Sequence, residues 1–387
     1  MLRFEHRVLN SEIEIQGRGE VAVIKFQFPE SDFQHSTLCA GASTLEPQRW
    51  SLNFCIFLIA LLAALFIPAS GQEILQTRKI WDQAPHNAFT DLVRYRGSFY
   101  CTFRESAAHV PKGRAENGKI RILKSKDGKS WKSAALLESE QYDFRDPKVS
   151  VTADHKLLVL MGGSDYTTGK LGGCLTHVSF SNDGKEFTNP KPVSIEVGIR
   201  TDFDWIWRLD WHNGTGYGVV YQCNQPDGQI TVRMLSTRDG INYQQVCNLG
   251  LTGIPNEATT RFEDDRMYMV IRREGPGANG LLGSSDPPYT NWTWTDLGMK
   301  IGGPEFAFSG KGRIAMGTRL YRSSAEGGVK TGVVFMDTNG KIERILDLPS
   351  GGDTSYPGMV LHKGKLYVSY YSSHEGKTSI YLSTIQL

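Results

Sequence analysis

From residue 87 to residue 371 the chain repeatedly joins two short runs of alternating apolar and polar residues across a tight turn. The paired runs span 87–104, 146–161, 206–223, 256–273, 304–319 and 355–371. Period-two alternation bounded by Gly, Asp and Asn predicts β-hairpins, and no long amphipathic helical pattern lies between them. A second phrase interleaves with the first. Ser125-Lys-Asp127-Gly128-Lys-Ser-Trp131 returns as Ser181-Asn-Asp183-Gly184-Lys-Glu-Phe187 and as Thr237-Arg-Asp239-Gly240-Ile-Asn-Tyr243, with successive aspartates 56 residues apart. Weaker copies stand at Ser284-Ser-Asp286 and Asp337-Thr-Asn-Gly340. In such a phrase Asp folds onto nearby backbone N–H groups, Gly accepts a positive φ and the aromatic packs over the turn. These aspartates are therefore predicted to be structural.

Repeats of about 40–50 residues with four strands each are the pattern of a β-propeller. The chain is thus predicted to be all-β, with six blades of four antiparallel strands. Its last unit runs out after a third strand at 379–387, and the missing strand is expected from Ile74–Trp81, closing the ring. Upstream, the charge-free run 54–67 is too short for a membrane helix of about 20 residues and fits the apolar part of a signal peptide. Small residues follow at Ala69, Ser70 and Gly71. Residues 1–71 are therefore predicted to be an extension and signal peptide removed on export, leaving 72–387 as the propeller with no membrane span. A short membrane anchor is the other reading of that run.

Composition narrows the class. With 387 residues, 22% charged and a formal net charge of +2, the chain is neither disordered nor basic enough to call for nucleic acid. The six cysteines (39, 55, 101, 174, 223 and 247) form no CxxC or zinc-finger spacing. No metal site and no cofactor is read from the sequence, and a monomer is expected.

In a propeller the inner strands converge at one end of the channel, so equivalent repeat positions should meet. The first runs open with His86-Asn87, Arg145-Asp146, Trp207-Arg208, Asn256-Glu257, Pro304-Glu305 and Ser355-Tyr356; three of the second runs end in Arg104, Arg273 and Arg319. Converging guanidiniums suit a carboxylate or sulfate, because their planar forks bind it bidentately. An anionic ligand is therefore expected. Trp205 and Trp207 suit either sugar stacking or packing between blades.

The Asp-Gly phrases resemble the Asp boxes of sialidases, and Glu257, Arg273, Arg319 and Tyr356 follow the order of that family's site residues. The resemblance covers residues 74–387 and implies a six-bladed sialidase-like propeller that releases a terminal acidic sugar with retention. It implies Tyr356 as nucleophile, Glu257 as its base, and Arg273 and Arg319 on the substrate carboxylate. A phenol serves here because a carboxylate nucleophile would be repelled by the sugar's own charge. Two features depart from the family. Its first-blade Arg-Ile-Pro phrase is replaced by His86-Asn87-Ala88-Phe89, so Arg104 is expected to take over an anion contact. Its acidic proton donor is missing between Arg104 and Arg121, where His109 is expected to serve. Arg145 and Asp146 are expected in the pocket, with Asn87, Arg208 and Glu305 as further substrate contacts along the channel. Phe144-Arg145-Asp146-Pro147 also resembles a phrase of five-bladed fructan- and arabinan-active hydrolases, against which the six units count. A non-hydrolytic acidic-glycan binder, or another carbohydrate-active propeller enzyme such as a lyase, is the alternative.

Overall fold

The computed structural model describes residues 72–168, 170–223 and 230–387, together with the backbone of two paired antiparallel strands, Ser11–Gly17 and Glu20–Phe26. The chain divides into two compact units, residues 1–68 and 69–387. The predicted apolar run 54–67 and the cleavage region near residue 71 lie outside the described residues.

Four sheets of the larger unit have four antiparallel strands each. One contains His86–Tyr95, Ser98–Ser106, Lys119–Ser125 and Lys132–Leu137. The second contains Pro255–Glu263, Arg266–Arg273, Leu281–Ser285 and Thr293–Asp296, and the third Glu305–Gly310, Arg313–Leu320, Lys330–Asp337 and Ile342–Asp347. In the fourth, Thr354–His362, Lys365–Ser372 and Ser379–Gln386 are completed by Glu73–Trp81, which pairs with the last strand of the chain. The strand expected at Ile74–Trp81 is thus in its anticipated place.

A fifth sheet has nine strands, built around Asp143–Val151, Leu157–Asp165 and Gly173–Ser181 on one side and Phe203–His212, Thr215–Gln222, Thr231–Thr237 and Asn242–Asn248 on the other. The halves meet through a two-residue parallel pairing, Cys174 with Phe203 and Leu175 with Asp204. This corrects the expectation of six separate four-stranded blades: four stand alone, and the runs 146–161 and 206–223 share one sheet. Parallel pairing at that junction has no signature in local alternation, so the merger could not be read from the sequence.

The opening strands touch one another in chain order, and Thr354–His362 returns to His86–Tyr95. The fold is an all-β propeller. Its inner strands are buried on both faces, as in Ser98–Ser106, whereas the outer Lys132–Leu137 is largely exposed. Neighbouring sheets hold together by apolar side chains from facing surfaces. Tyr268, Val270 and Leu282 of one sheet pack on Phe306, Ile314, Met316 and Val334 of the next, each such buried side chain contributing about 1.5–3 kcal/mol.

The repeated turns form as their chemistry dictates. Asp127 Oδ1 accepts from the N–H of Lys129 and Ser130 at 2.8 and 3.0 Å, Gly128 adopts φ +72°, and Trp131 Nε1 donates to Gly128 O. Asp183 and Asp239 repeat this arrangement.

Candidate active site

Five of the opening strands carry the same irregularity, a β-bulge in which two residues face one on the next strand. The bulged pairs are Phe89-Thr90, Asp146-Pro147, Trp207-Arg208, Asn256-Glu257 and Tyr356-Pro357. Bulges re-aim side chains at the rims of such folds. Phe89, Asp146 and Tyr356 take left-handed φ values of +62°, +48° and +51° there, and the result is convergence. The rings of Phe89 and Trp207 lie 5.1 and 5.8 Å from that of Tyr356.

Tyr356 Oη donates to Glu257 Oε1 at 2.6 Å. Burial, and then the Glu257 charge, push the phenol well above its ordinary pKa, so it is neutral near pH 7 and needs a base to become a nucleophile. Glu257 is held from two sides, by Arg272 Nη1 at 2.8 Å and by the Gly303 N–H at 2.7 Å. Gly303 also lies flat against the phenol ring, where an added Cβ would come within 2.7 Å of Tyr356 Cγ. Arg319 places its guanidinium 5.3 Å from the Tyr356 ring centre and donates to Thr354 O and Tyr371 Oη. Burial opposes the charge on Arg272 and Arg319, yet Glu257 beside the first, and Tyr371 and Tyr356 beside the second, hold both above the ordinary arginine range. Arg145 lies over Phe89 and faces Asp146 at 3.4 Å. Beneath these groups the buried Lys148 sits 4.2 Å from the Trp207 ring centre, and burial together with Arg208 pushes its amine down to about 8.

Several predicted site residues take other positions. Arg273 turns away: its Nε donates to Asn279 O and its Nη2 to Asp296. Arg272, opposite the Asn256-Glu257 bulge, is the arginine that reaches the site. Arg104 is fully buried and bound to Asp143 at 2.6 Å, to Ser106 and to Ala108 O, so it cannot take over the anion contact. Arg208 and Glu305 pair with each other and with Asp91 and Arg261 in a buried network. Asn87 spends its amide on Ala84 O and Thr378 O. These three carry the architecture of the channel wall rather than a free ligand contact. Trp207 is buried under Tyr356, and Trp205 stacks on Tyr221.

Beside Phe89 the structure assembles a group that sequence reasoning missed in part. His109 joins His86 and Asp353: Asp353 Oδ2 is 3.4 Å from His86 Nε2 and 3.5 Å from His109 Nδ1. Tyr371 donates to the other oxygen of Asp353 at 2.7 Å. Burial alone would raise this carboxyl, but His109, His86 and Tyr371 hold it well below the usual carboxylate range. Asp353 precedes the sixth pairing unit by two residues and belongs to no repeated phrase, so no signal marked it. Asp146 stands beside Arg145, its Oδ2 3.4 Å from Arg145 Nε.

The fold is an all-β propeller whose inner strands bring Tyr356, Glu257, Arg272 and Arg319 together. A protein of unknown function from Dyadobacter fermentans is similar to it with a TM-score of 0.71 and 18% identity, covering 82% of this chain and all of that one. Trypanosoma rangeli sialidase in complex with sialic acid matches with a TM-score of 0.60 at 14% identity, covering 81% of this chain; this chain spans 59% of the sialidase's length. An α-L-arabinofuranosidase from Fusarium graminearum matches with a TM-score of 0.59 at 15% identity, covering 81% and 98% of the two chains. No protein-family model and no curated relative matches the sequence. At such identities the likeness is one of fold.

Proposed function

We propose that the protein is a retaining glycoside hydrolase releasing a terminal acidic sugar, sialic acid or a relative, from a glycan. In the first step Tyr356 Oη bonds to the anomeric carbon and passes its proton to Glu257, while the glycosidic C–O bond breaks and His109 protonates the leaving oxygen. Water then cleaves the tyrosyl–sugar bond in the reverse sense. Arg272 and Arg319 hold the substrate carboxylate, and Arg145 with Asp146 contacts the ring's polar substituents. The observation that carries this reading is the 2.6 Å contact between Tyr356 Oη and Glu257, set between two charged guanidiniums.

The nine-stranded sheet is read as two blades fused at Cys174–Leu175, making six around the axis; the support is the order in which the inner strands touch. Export after cleavage near residue 71, and action as a monomer without nucleic acid, complete the proposal. Its support is the apolar run 54–67, the near-neutral charge and the ring closed within one chain.

The test is incubation with aryl sialosides and other aryl acidic sugars. An aryl leaving group needs little protonation, so release from none of them sinks the hydrolytic reading. Loss of release in Tyr356→Phe with an unchanged melting curve supports the nucleophile. The buried, occupied state of Arg104 and the phenylalanine in the first blade favour a second reading, a binder of acidic glycans that lacks turnover. Measurable affinity for a free acidic sugar without release from any aryl glycoside would select it.

A further inference from the structure

We propose that His86, His109 and Asp353 form a binding site for a borderline divalent cation, zinc being the type case, at the rim of the channel. The site goes beyond hydrolysis and does not depend on it. Its three donor atoms, two imidazole nitrogens and one carboxylate oxygen, lie within 4.8 Å of one another although the residues are up to 267 positions apart.

Two of the three donor distances match those around a bound cation. Nitrogen–oxygen hydrogen bonds centre on about 2.7–3.2 Å. Ligands held about 2.0–2.1 Å from a tetrahedral zinc ion stand about 3.4 Å from each other. Asp353 Oδ2 stands 3.4 Å from one imidazole nitrogen and 3.5 Å from the other. The two oxygens of Asp353 also divide their work. Oδ1 accepts from Tyr371 and lies 3.9 Å from Arg319, which leaves Oδ2 for the ion. Such an outer hydrogen bond on a ligating carboxylate orients it. His86 is largely buried and fixed, whereas His109 has half of its side-chain surface open and can turn to close the third edge. Two imidazoles with one carboxylate suit zinc or cobalt; magnesium and calcium prefer all-oxygen sets. Three protein ligands leave one position for water or a substrate oxygen. Bound to the ion, His109 cannot serve as the proton donor proposed above, so the two roles are alternatives.

Zinc competition against a chromophoric chelator, on the chelator-stripped full chain, tests the site without reference to turnover. One equivalent is expected to bind, with affinity falling more than about tenfold in His109→Ala and in Asp353→Asn, and about tenfold in the outer-shell variant Tyr371→Phe. Tyr356→Phe should bind as the parent does. Near-UV circular dichroism establishes that each variant is folded; His109→Ala, at the surface, is the variant least exposed to misfolding. No binding by the parent protein overturns the site, as does stoichiometric binding that survives both ligand substitutions. Loss of hydrolysis alone bears on neither result.

Discussion

Arg272 and Arg273 are neighbours on one strand, yet Arg272 donates to Glu257 at 2.8 Å while Arg273 reaches away to Asp296 at 2.9 Å. Their separation follows from the bulge opposite them, where Asn256 and Glu257 together face Arg272. Arg272→Ala is therefore expected to lower kcat/KM on an acidic aryl glycoside about 100–1000-fold, the usual effect of removing one fixed electrostatic partner. Arg273→Ala should change it little and cost no more than about 1 kcal/mol of stability, as for a partly exposed ion pair. Equal losses in the two variants would show that the assignment of Arg272 is wrong.

Gly303 is where glycine is required. Its φ is +59°, its N–H holds Glu257, and its α-carbon leaves no room for a methyl group beside Tyr356. Gly303→Ala should cost about 1–3 kcal/mol, as overpacking does, and should move the Tyr356 ring off Glu257. Urea unfolding reads the first effect and turnover the second. A variant with full stability and turnover would contradict the packing described.

Arg208 sits between Asp91 at 2.6 Å and Glu305 at 2.5 Å, and all three are buried. Removing Arg208 strips Asp91 of its ion-pair partner and leaves Glu305 with Arg261 alone. Arg208→Met is expected to cost about 3–5 kcal/mol, the usual result of breaking a buried pair from one side. Chemical denaturation measures it, and a loss under 1 kcal/mol would mean that the network is not a structural support.

Acid stability should reflect the repeated turns. Backbone N–H groups of Ser130 and Lys129 bring the Asp127 carboxyl down to about 2; at Asp239 burial works the other way but is overcome by the N–H groups of Asn242 and Ile241, again to about 2. A depressed carboxyl pKa stabilises the fold above its unfolded value, and that contribution is lost as pH falls through the folded value. The melting temperature should therefore decline as pH drops from about 4 toward 2. Asp127→Asn should flatten part of that decline. An unchanged pH profile would count against the carboxylate's role.

Much of this was legible locally. Alternation predicted the paired strands, and Asp-Gly-aromatic spelling predicted the turns, because both depend on contacts within a few residues. The strand at Glu73–Trp81 could be anticipated from the unfinished last unit. Arg319 stood at a repeated position and the resemblance to sialidases pointed to Tyr356 and Glu257; the structure brings the three together.

Other features needed the folded chain. Bulges decided which of two adjacent arginines faces Glu257, since one extra residue reverses the pleat for everything opposite it. Arg104 looked available until Asp143 was found against it. The fusion of two predicted units through Cys174 and Leu175, and the meeting of His86, His109 and Asp353, depend on approach between segments distant in the chain. Local spelling specifies short-range turns and strand faces; tertiary packing alone determines which charged groups neutralise one another and which are left facing the channel.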